Sequence, residues 1–535
     1  MKRIRTVGVI LTLSMASSAA TADDQAAAAA VPDAVKGITA RELGGHMKFL
    51  ASDLMRGRDT ASPESRLAAE YLASRLSAAG ALPAGDQGPS GQTYFQPFPL
   101  EVVTPQLEGT SVTLVLEQNG SKRVIPCQFG VDVSFSPWGV TPGKIDAPVV
   151  FAGYGQVNTA EQIDDYDGIN VKERFVLIFQ GRRPKKDVSK ADEAKRATPA
   201  GRGAPPTNVS GPQAALARGA LGIILVQPKN ADGQLRPNAI PPLRFSGFGR
   251  PSMTLGRAPT AIPTLRFADP ICDLILKATE LTTKSKPKAL EGLHVRFNFA
   301  AKKESKEDRN VVGLFPGSDK DKAKEVIIYS AHYDHVGVDD KGEIFNGSDD
   351  NASGTSALLE IAEAFGDGPR PARSVAFLWV SGEEKGLFGS TWFSDHVTLP
   401  QGYKIVADIN LDMVSRNDGK SIGVTPSDKH AGYSTLIPAA RAAAKEEGLT
   451  IKFNADMFFG STDSYNFARK GIPVIFFFCG LHADYHRPTD DFTKADFEKA
   501  ARVARAAYRL GWQVAQDKEA PKKIKAAETK SADSR

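Results

Sequence analysis

The sequence predicts an α/β fold, with a mainly parallel (mixed) sheet flanked by helices and a β-rich insert interrupting it. Three observations predict this. From about His294 onward, short apolar runs alternate with helical patterns, as in chains that build a parallel sheet with helices on both faces. Between about 106 and 290, apolar and polar residues alternate and are punctuated by Gly and Pro. At 535 residues, 41% hydrophobic and 24% charged, the chain is long enough for two or three domains with ordinary cores.

Residues 1–22 read as a signal peptide. Lys2, Arg3 and Arg5 precede an apolar stretch from Val7 to about Ala20, and Ala20-Thr21-Ala22 supplies a small-residue cleavage site. The stretch is too short to span a bilayer comfortably, and no other run of 18 or more apolar residues exists. The expectation is an exported protein, periplasmic or secreted, with no stable membrane insertion and no lipid anchor. An Ala-rich lead-in occupies residues 23–38.

Residues 39–105 open the main domain with a helical pattern. Leu43, Met47, Leu50 and Leu54 form one stripe, and Ala68, Ala69, Leu72 and Leu76 form another, with Gly80 as a C-cap. The insert, 106–290, begins with a strand at 111–116, a hairpin turn at Asn119-Gly120 and a return strand at 123–125. Strands at 148–155, 175–179 and 222–226 follow, with a helix at 212–219 before the last of them. Residues 181–211 hold eight Lys/Arg and three Asp/Glu among several Pro and Gly, which suits a solvated insertion better than an anion-binding loop. Residues 229–262 are Pro-rich and read as irregular. The region 291–516 carries strands at 311–315, 325–331, 374–380, 405–411 and 472–478, and helices at 354–366, 432–448, 462–470 and 494–515. A Lys/Ala-rich tail, 517–535, reads as disordered.

The net charge of +5 is located at the two ends, +3 in residues 1–22 and +2 in 517–535, so the body is about neutral and a nucleic-acid partner gains no support. Cys127, Cys272 and Cys479 have mostly apolar neighbours and read as buried thiols.

The chemistry is concentrated in five segments between His332 and His486: Ala331-His332-Tyr333-Asp334, Ser348 to Gly354, Gly382-Glu383-Glu384, Asn410-Leu411-Asp412 and Tyr485-His486. Each reads as sitting just after, or at the end of, an apolar strand, where open α/β sheets build their sites. Together they supply imidazoles, carboxylates and one spare acid, the needs of two zinc ions. Asp334 is placed to hold the His332 imidazole in one tautomer. Helix capping accounts for one of Asp349 and Asp350 but not for both beside a second acidic pair. Glu383 and Glu384 would repel unless a cation were near, and neighbouring side chains at a strand end point apart, one toward a metal and one toward its water. Asp412 follows the apolar strand 405–411 and needs a partner. His335, His396, His430 and His482 read as ordinary loop histidines. No His-Glu-x-x-His helix, Gly-x-Ser-x-Gly elbow or phosphate-binding loop occurs.

These segments resemble the M28 family of zinc metallopeptidases. The resemblance covers most of the chain, including Leu50 to Arg58. It implies a zinc-exopeptidase-like fold in which His332 and Asp412 hold one zinc, Glu384 and His486 the other, and Asp350 bridges them. It implies Glu383 as general base and Tyr485 as a donor to the oxyanion. Phe151-Ala152-Gly153-Tyr154-Gly155 and Ala217 to Gly222 resemble a protease-associated domain. Thr462-Asp463-Ser464 departs from the Asp-His of many relatives. The expected activity is that of a dizinc aminopeptidase acting on peptides or proteins. A carboxypeptidase for acidic C-termini, for which Arg416, Arg469 and Arg487 are candidate anchors, and a non-catalytic receptor on the same scaffold are the alternatives.

Overall fold

The computed structural model describes residues 30–118, 120–137, 139–158, 163–181, 208–209, 211–228, 252–256 and 261–524. The expected signal peptide, most of the Lys/Arg-rich stretch and most of 229–262 lie outside them. The fold is mixed α/β, with one large sheet flanked by helices.

The centre of the sheet is the strand Glu325–His332, every residue of which after Glu325 is buried. It pairs in parallel with Ser374–Val380 on one side and Lys404–Leu411 on the other. Val474–Phe478 extends the parallel set beyond Lys404–Leu411. Two short strands absent from the sequence reading, Ser421–Thr425 and Thr450–Lys452, complete that edge. Thr450–Lys452 is three residues long, and Ser421–Thr425 has only Ile422 and Val424 as apolar residues, split by Gly423, so neither stands out as an apolar run.

Helices cover both faces. Ala40–Leu50 starts where the Thr39 hydroxyl accepts from the Glu42 amide. Pro63–Ala78 ends in a Schellman turn: Gly80 has φ +81°, its amide donates to the Ser77 carbonyl and the Ala81 amide to that of Leu76. Between these helices the helical pattern is interrupted at Arg56–Arg58, where three successive residues have positive φ. Gly354–Asp367 lies against the sheet, and a Cβ at Gly354 would meet the Leu411 carbonyl oxygen at 2.3 Å, so only glycine admits this close approach. The long helix Phe497–Gln516 packs beside it, with Tyr508 and Trp512 against Phe365. Two helices were not anticipated, Asp269–Thr279 and Phe388–Asp395.

The insert has its own core, built from residues such as Val112, Phe151, Phe175, Ile224, Phe267 and Phe297. The expected boundaries at 105/106 and 290/291 nevertheless fall inside continuous strands. Phe95–Gln118 and Lys288–Phe315 run antiparallel from Val311 opposite Phe95 to Leu293 opposite Leu116, crossing from one core to the other. The hairpin return closes with Gln118 opposite Ser121, as the sequence pattern requires.

The tail departs from its expectation in part. Residues 517–524 are placed, and Ile524 and Thr435 donate their amides to the Tyr433 and Lys522 carbonyls. That pairing takes Tyr433–Thr435 out of the expected helix, which runs from Leu436 to Glu446. No described helix is long and apolar enough to cross a membrane.

Candidate metal centre

Parallel pairing brings the segments together. His332 is level with Val380 and Ser330 with Asn410, so the chain leaves all three strands at the same edge. Leu411 is level with Phe477, which brings the loop bearing His486 to that edge as well.

His332 Nε2 lies 3.3 Å from Asp412 Oδ1 and 3.4 Å from Asp350 Oδ1. The other oxygen of Asp350 faces a separate group: His486 Nε2 is 3.1 Å from Asp350 Oδ2 and 3.0 Å from Glu384 Oε2. His332 Nε2, Asp412 Oδ1 and His486 Nε2 are buried without a hydrogen-bond partner in the protein. Convergent, unpartnered imidazole and carboxylate atoms at these spacings fit two cations sharing one carboxylate.

The electrostatics agree. Burial alone would push the Asp350 carboxyl up, yet the imidazoles of His335, His332 and His486 hold it well below the usual range. Burial disfavours the His486 imidazolium, but the nearby carboxylates of Asp350 and Glu384 raise it to about 10. Burial lifts Asp412 to about 6, even with His332 beside it. Burial, reinforced by Asp463, Glu384 and Asp412 against the pull of His332, raises Glu383 well above the usual range. A pocket that draws this much positive charge onto its imidazoles suits divalent cations.

Asp349 and Asp350 separate clearly. Asp349 is completely buried and accepts from the Ser415 amide and hydroxyl, both at 2.7 Å, and from Cys479 Sγ at 3.2 Å. It holds the loop while Asp350 faces the cluster. Glu383 and Glu384 also diverge, but not by strand alternation. The strand ends at Val380, and a turn follows in which the Gly386 and Leu387 amides donate to the Glu383 carbonyl. Glu384 points to the imidazoles and Glu383 lines the open cleft.

Three expectations need correction. His335 is no ordinary loop histidine: it is completely buried, with Nδ1 2.8 Å from Glu384 Oε1 and 3.7 Å from Asp350 Oδ2. The side chain of His482 is largely covered as well, with Nε2 3.3 Å from Asp349 Oδ2. His396 and His430 stay outside the cluster, the first stacked on Trp392 and the second tilted against Phe459. The tautomer of His332 is set by the Asp334 carbonyl, 3.1 Å from Nδ1, while the Asp334 carboxylate accepts from Thr60 Oγ1 at 2.8 Å and the Glu383 amide at 3.2 Å. A carbonyl can only accept, so Nδ1 carries the proton and Nε2 presents a lone pair. The signal for His335 was its place three residues after His332, in the same strand-end loop. Asp164 and Asp165, in the insert, serve Arg218 and the amides of Tyr154 and Gln156.

The cleft is lined by Asp350, Glu383, Glu384 and Asp412, an apolar wall that includes Met413, Phe458 and Phe478, and Tyr485 stacked on His486. Residues 310–510 match the profile of Peptidase family M28. The chain carries an M28 peptidase domain. Within the curated proteins it is similar to Aminopeptidase YwaD of Bacillus subtilis (strain 168), 26% identical over 226 residues, 41% of this chain and 47% of that protein. It is also similar to Leupeptin-inactivating enzyme 1 of Streptomyces exfoliatus, 29% identical over 33% of this chain and 36% of that protein. The chain thus spans about half the length, or less, of these relatives. In fold it resembles the aminopeptidase from Aneurinibacillus sp. strain AM-1, with a TM-score of 0.52, 21% identity, and coverage of 92% of this chain and 96% of that one. All five expected ligand segments lie inside the M28 match, whereas the insert and the helices before Gly80 lie outside it.

Proposed function

We propose that the protein is an exported dizinc aminopeptidase that hydrolyses the N-terminal bond of peptides. The observation that carries this reading is the lining of the cleft. Four carboxylates stand beside an apolar wall, and no Lys or Arg is among the lining residues. Two zinc ions would neutralise most of that acid, so what discriminates is the lining itself: it offers no cationic partner to a C-terminal carboxylate, and its apolar wall suits the side chain of an N-terminal residue. Arg416, a candidate anchor for an acidic C-terminus, is engaged by Asp484 at 2.6 Å and lies 3.5 Å from Asp490.

In this reading His332 and Asp412 would hold one zinc, Glu384 and His486 would hold the other, and Asp350 would be shared between them. Zinc supplies a Lewis acid that acidifies water and polarises a carbonyl. Glu383 accepts the proton of the attacking water and returns it to the departing amine nitrogen. Tyr485 donates its hydroxyl to the carbonyl oxygen as negative charge develops there. Burial, with Asp350 and Glu384 nearby, pushes the Tyr485 phenol up, so it stays a donor. Residues 1–22 direct export, and the β-rich region carried by the strand pair Phe95–Gln118 and Lys288–Phe315 forms an inserted domain of the protease-associated type.

A substrate panel on the purified, zinc-loaded protein tests the reading. Free-amine peptides should lose their first residue, and N-blocked peptides should be inert. Release of an acidic C-terminal residue from a blocked peptide would replace this reading with the carboxypeptidase. Zinc-loaded protein inert on every peptide would favour a binding role.

A further inference from the structure

We propose that the segment Gly57–Thr60 is a built part of the metal centre, with Arg58 as a positioning residue that fixes the loop of His332 relative to the loop of Asp350. The segment lies outside the M28 match, more than two hundred residues before it. The inference rests on the dizinc reading above.

Arg58 is 1% exposed. Its Nε donates to the Tyr333 carbonyl at 2.8 Å, Nη1 to those of Asn346 at 2.8 Å and Leu50, and Nη2 to that of Gly347 at 3.0 Å. Tyr333 follows His332 directly, and Gly347 opens the turn that carries Asp350. Three of the four acceptors therefore belong to ligand-bearing loops. A planar guanidinium holds such acceptors in one geometry, which a flexible ammonium cannot do. Burial lowers the guanidinium to about 10, while Asp350, Asp334, Asp490 and Glu384 support its charge.

The backbone around Arg58 is equally committed. Arg56, Gly57 and Arg58 have φ of 42°, 68° and 46°, a run that side chains rarely adopt unless their surroundings impose it. A Cβ on Gly57 would sit 2.5 Å from the carbonyl oxygens of Gly337 and Phe345. The His335 and Gly337 amides donate to the carbonyls of Arg58 and Gly57 at 3.2 and 3.1 Å. Thr60 then reaches the other side of the centre: its hydroxyl holds Asp334 Oδ2, and Asp334 Oδ1 holds the amide of Glu383. Asp59 adds an ion pair to Lys385 at 2.8 Å. One short segment thus ties together the loops of His332 and His335, the approach to Asp350 and the turn of Glu383 and Glu384. Ligands must be held to within about 0.5 Å of their bonding geometry, and here the support is supplied from behind.

The test is zinc affinity, by titration against a competing chelator, on the full chain and on Arg58→Met, Arg58→Lys, Thr60→Val and Thr60→Ser, with circular dichroism reporting the fold. Arg58→Met should bind zinc about tenfold or more weakly, the scale seen when support behind a metal ligand is lost. Arg58→Lys should recover only part, because it restores the charge but not the fork. Thr60→Val should keep zinc affinity and KM but lose about tenfold in kcat, and Thr60→Ser should restore kcat. A folded Arg58→Met with wild-type zinc affinity overturns the inference while leaving the dizinc reading intact. Should Arg58→Met fail to fold, the Thr60 pair decides: wild-type kcat in Thr60→Val overturns it. Wild-type protein that takes up no zinc overturns the dizinc reading and this inference with it.

Discussion

The catalytic half and the insert are built on the same device and differ in what they hang on it. In the insert, Gly143–Phe151, Phe175–Phe179, Gly222–Val226 and Thr264–Phe267 pair in parallel, one after another. In the catalytic half, Glu325–His332 pairs in parallel with two neighbours. Both sets therefore present a row of carboxyl ends. At those ends the insert offers Ala152, Gln180, Gln227 and Ala268, where the catalytic half offers His332, Glu383 and Glu384, and Asp412. Strand topology makes an edge, and the side chains at that edge make a site. The energetics follow the same division. The insert's interior is largely apolar, with Phe135 edge-on to Phe297 and Phe299. The catalytic half buries Asp350, Asp349, Asp334 and His335 together, a set that is tolerable only when every charge has a counterpart.

Mutations can break or sharpen that contrast, from the largest expected effect on turnover to the smallest. Asp350→Ala removes the one carboxylate that faces both groups of ligands, so metal analysis should find both ions lost and activity below detection. Two-metal occupancy in that variant would sink the bridging role. Glu383→Gln keeps the shape of the side chain but cannot take a proton. It should keep both metals and bind peptide while kcat falls by about a hundredfold or more, as for loss of a general base. Glu384→Gln should instead weaken one metal site, so metal content and rate measured on both variants separate the two roles. His335→Ala removes the imidazole beside Glu384 and should weaken one zinc by about tenfold, with His335→Asn recovering part of it by restoring a donor. Equal zinc affinity in the Ala variant would return His335 to the background. Phe297→Ala lies at the other extreme. It should cost about 3–5 kcal/mol of stability, read as a lowered unfolding midpoint, while kcat per folded molecule stays within about twofold. A large fall in kcat without destabilisation would show that the insert takes part in turnover.

The two halves also differed in how much of them the sequence disclosed. Phe175–Phe179 and Gly222–Val226 stand in the structure at the residues expected, because each is a short, uniformly apolar run closed by Gly or polar residues. The metal cluster was legible for a related reason: acids directly after apolar strands have few other uses. What was hidden depended on contacts between distant segments. His335 gains its meaning from Glu384, and Arg58 from Tyr333, Asn346 and Gly347, none of which local periodicity can bring together. The domain boundaries were hidden for the opposite reason. Alternation at 111–116 marks a strand, but it does not say that the same strand began at Phe95 and belongs to two cores.

That shared pair of strands has a bearing on how the chain acquires its fold. Phe95 finds its partner only when Val311 has been made, and the helices Ala40–Leu50 and Pro63–Ala78 have their packing partners in still later residues such as Leu358, Phe365 and Tyr508. The insert is closed over long separations as well, with Leu293 opposite Leu116 and Arg266 opposite Ser134. Its two-stranded stem holds the early and late parts of the interrupted domain side by side, so neither core is complete until the strand Lys288–Phe315 is in place.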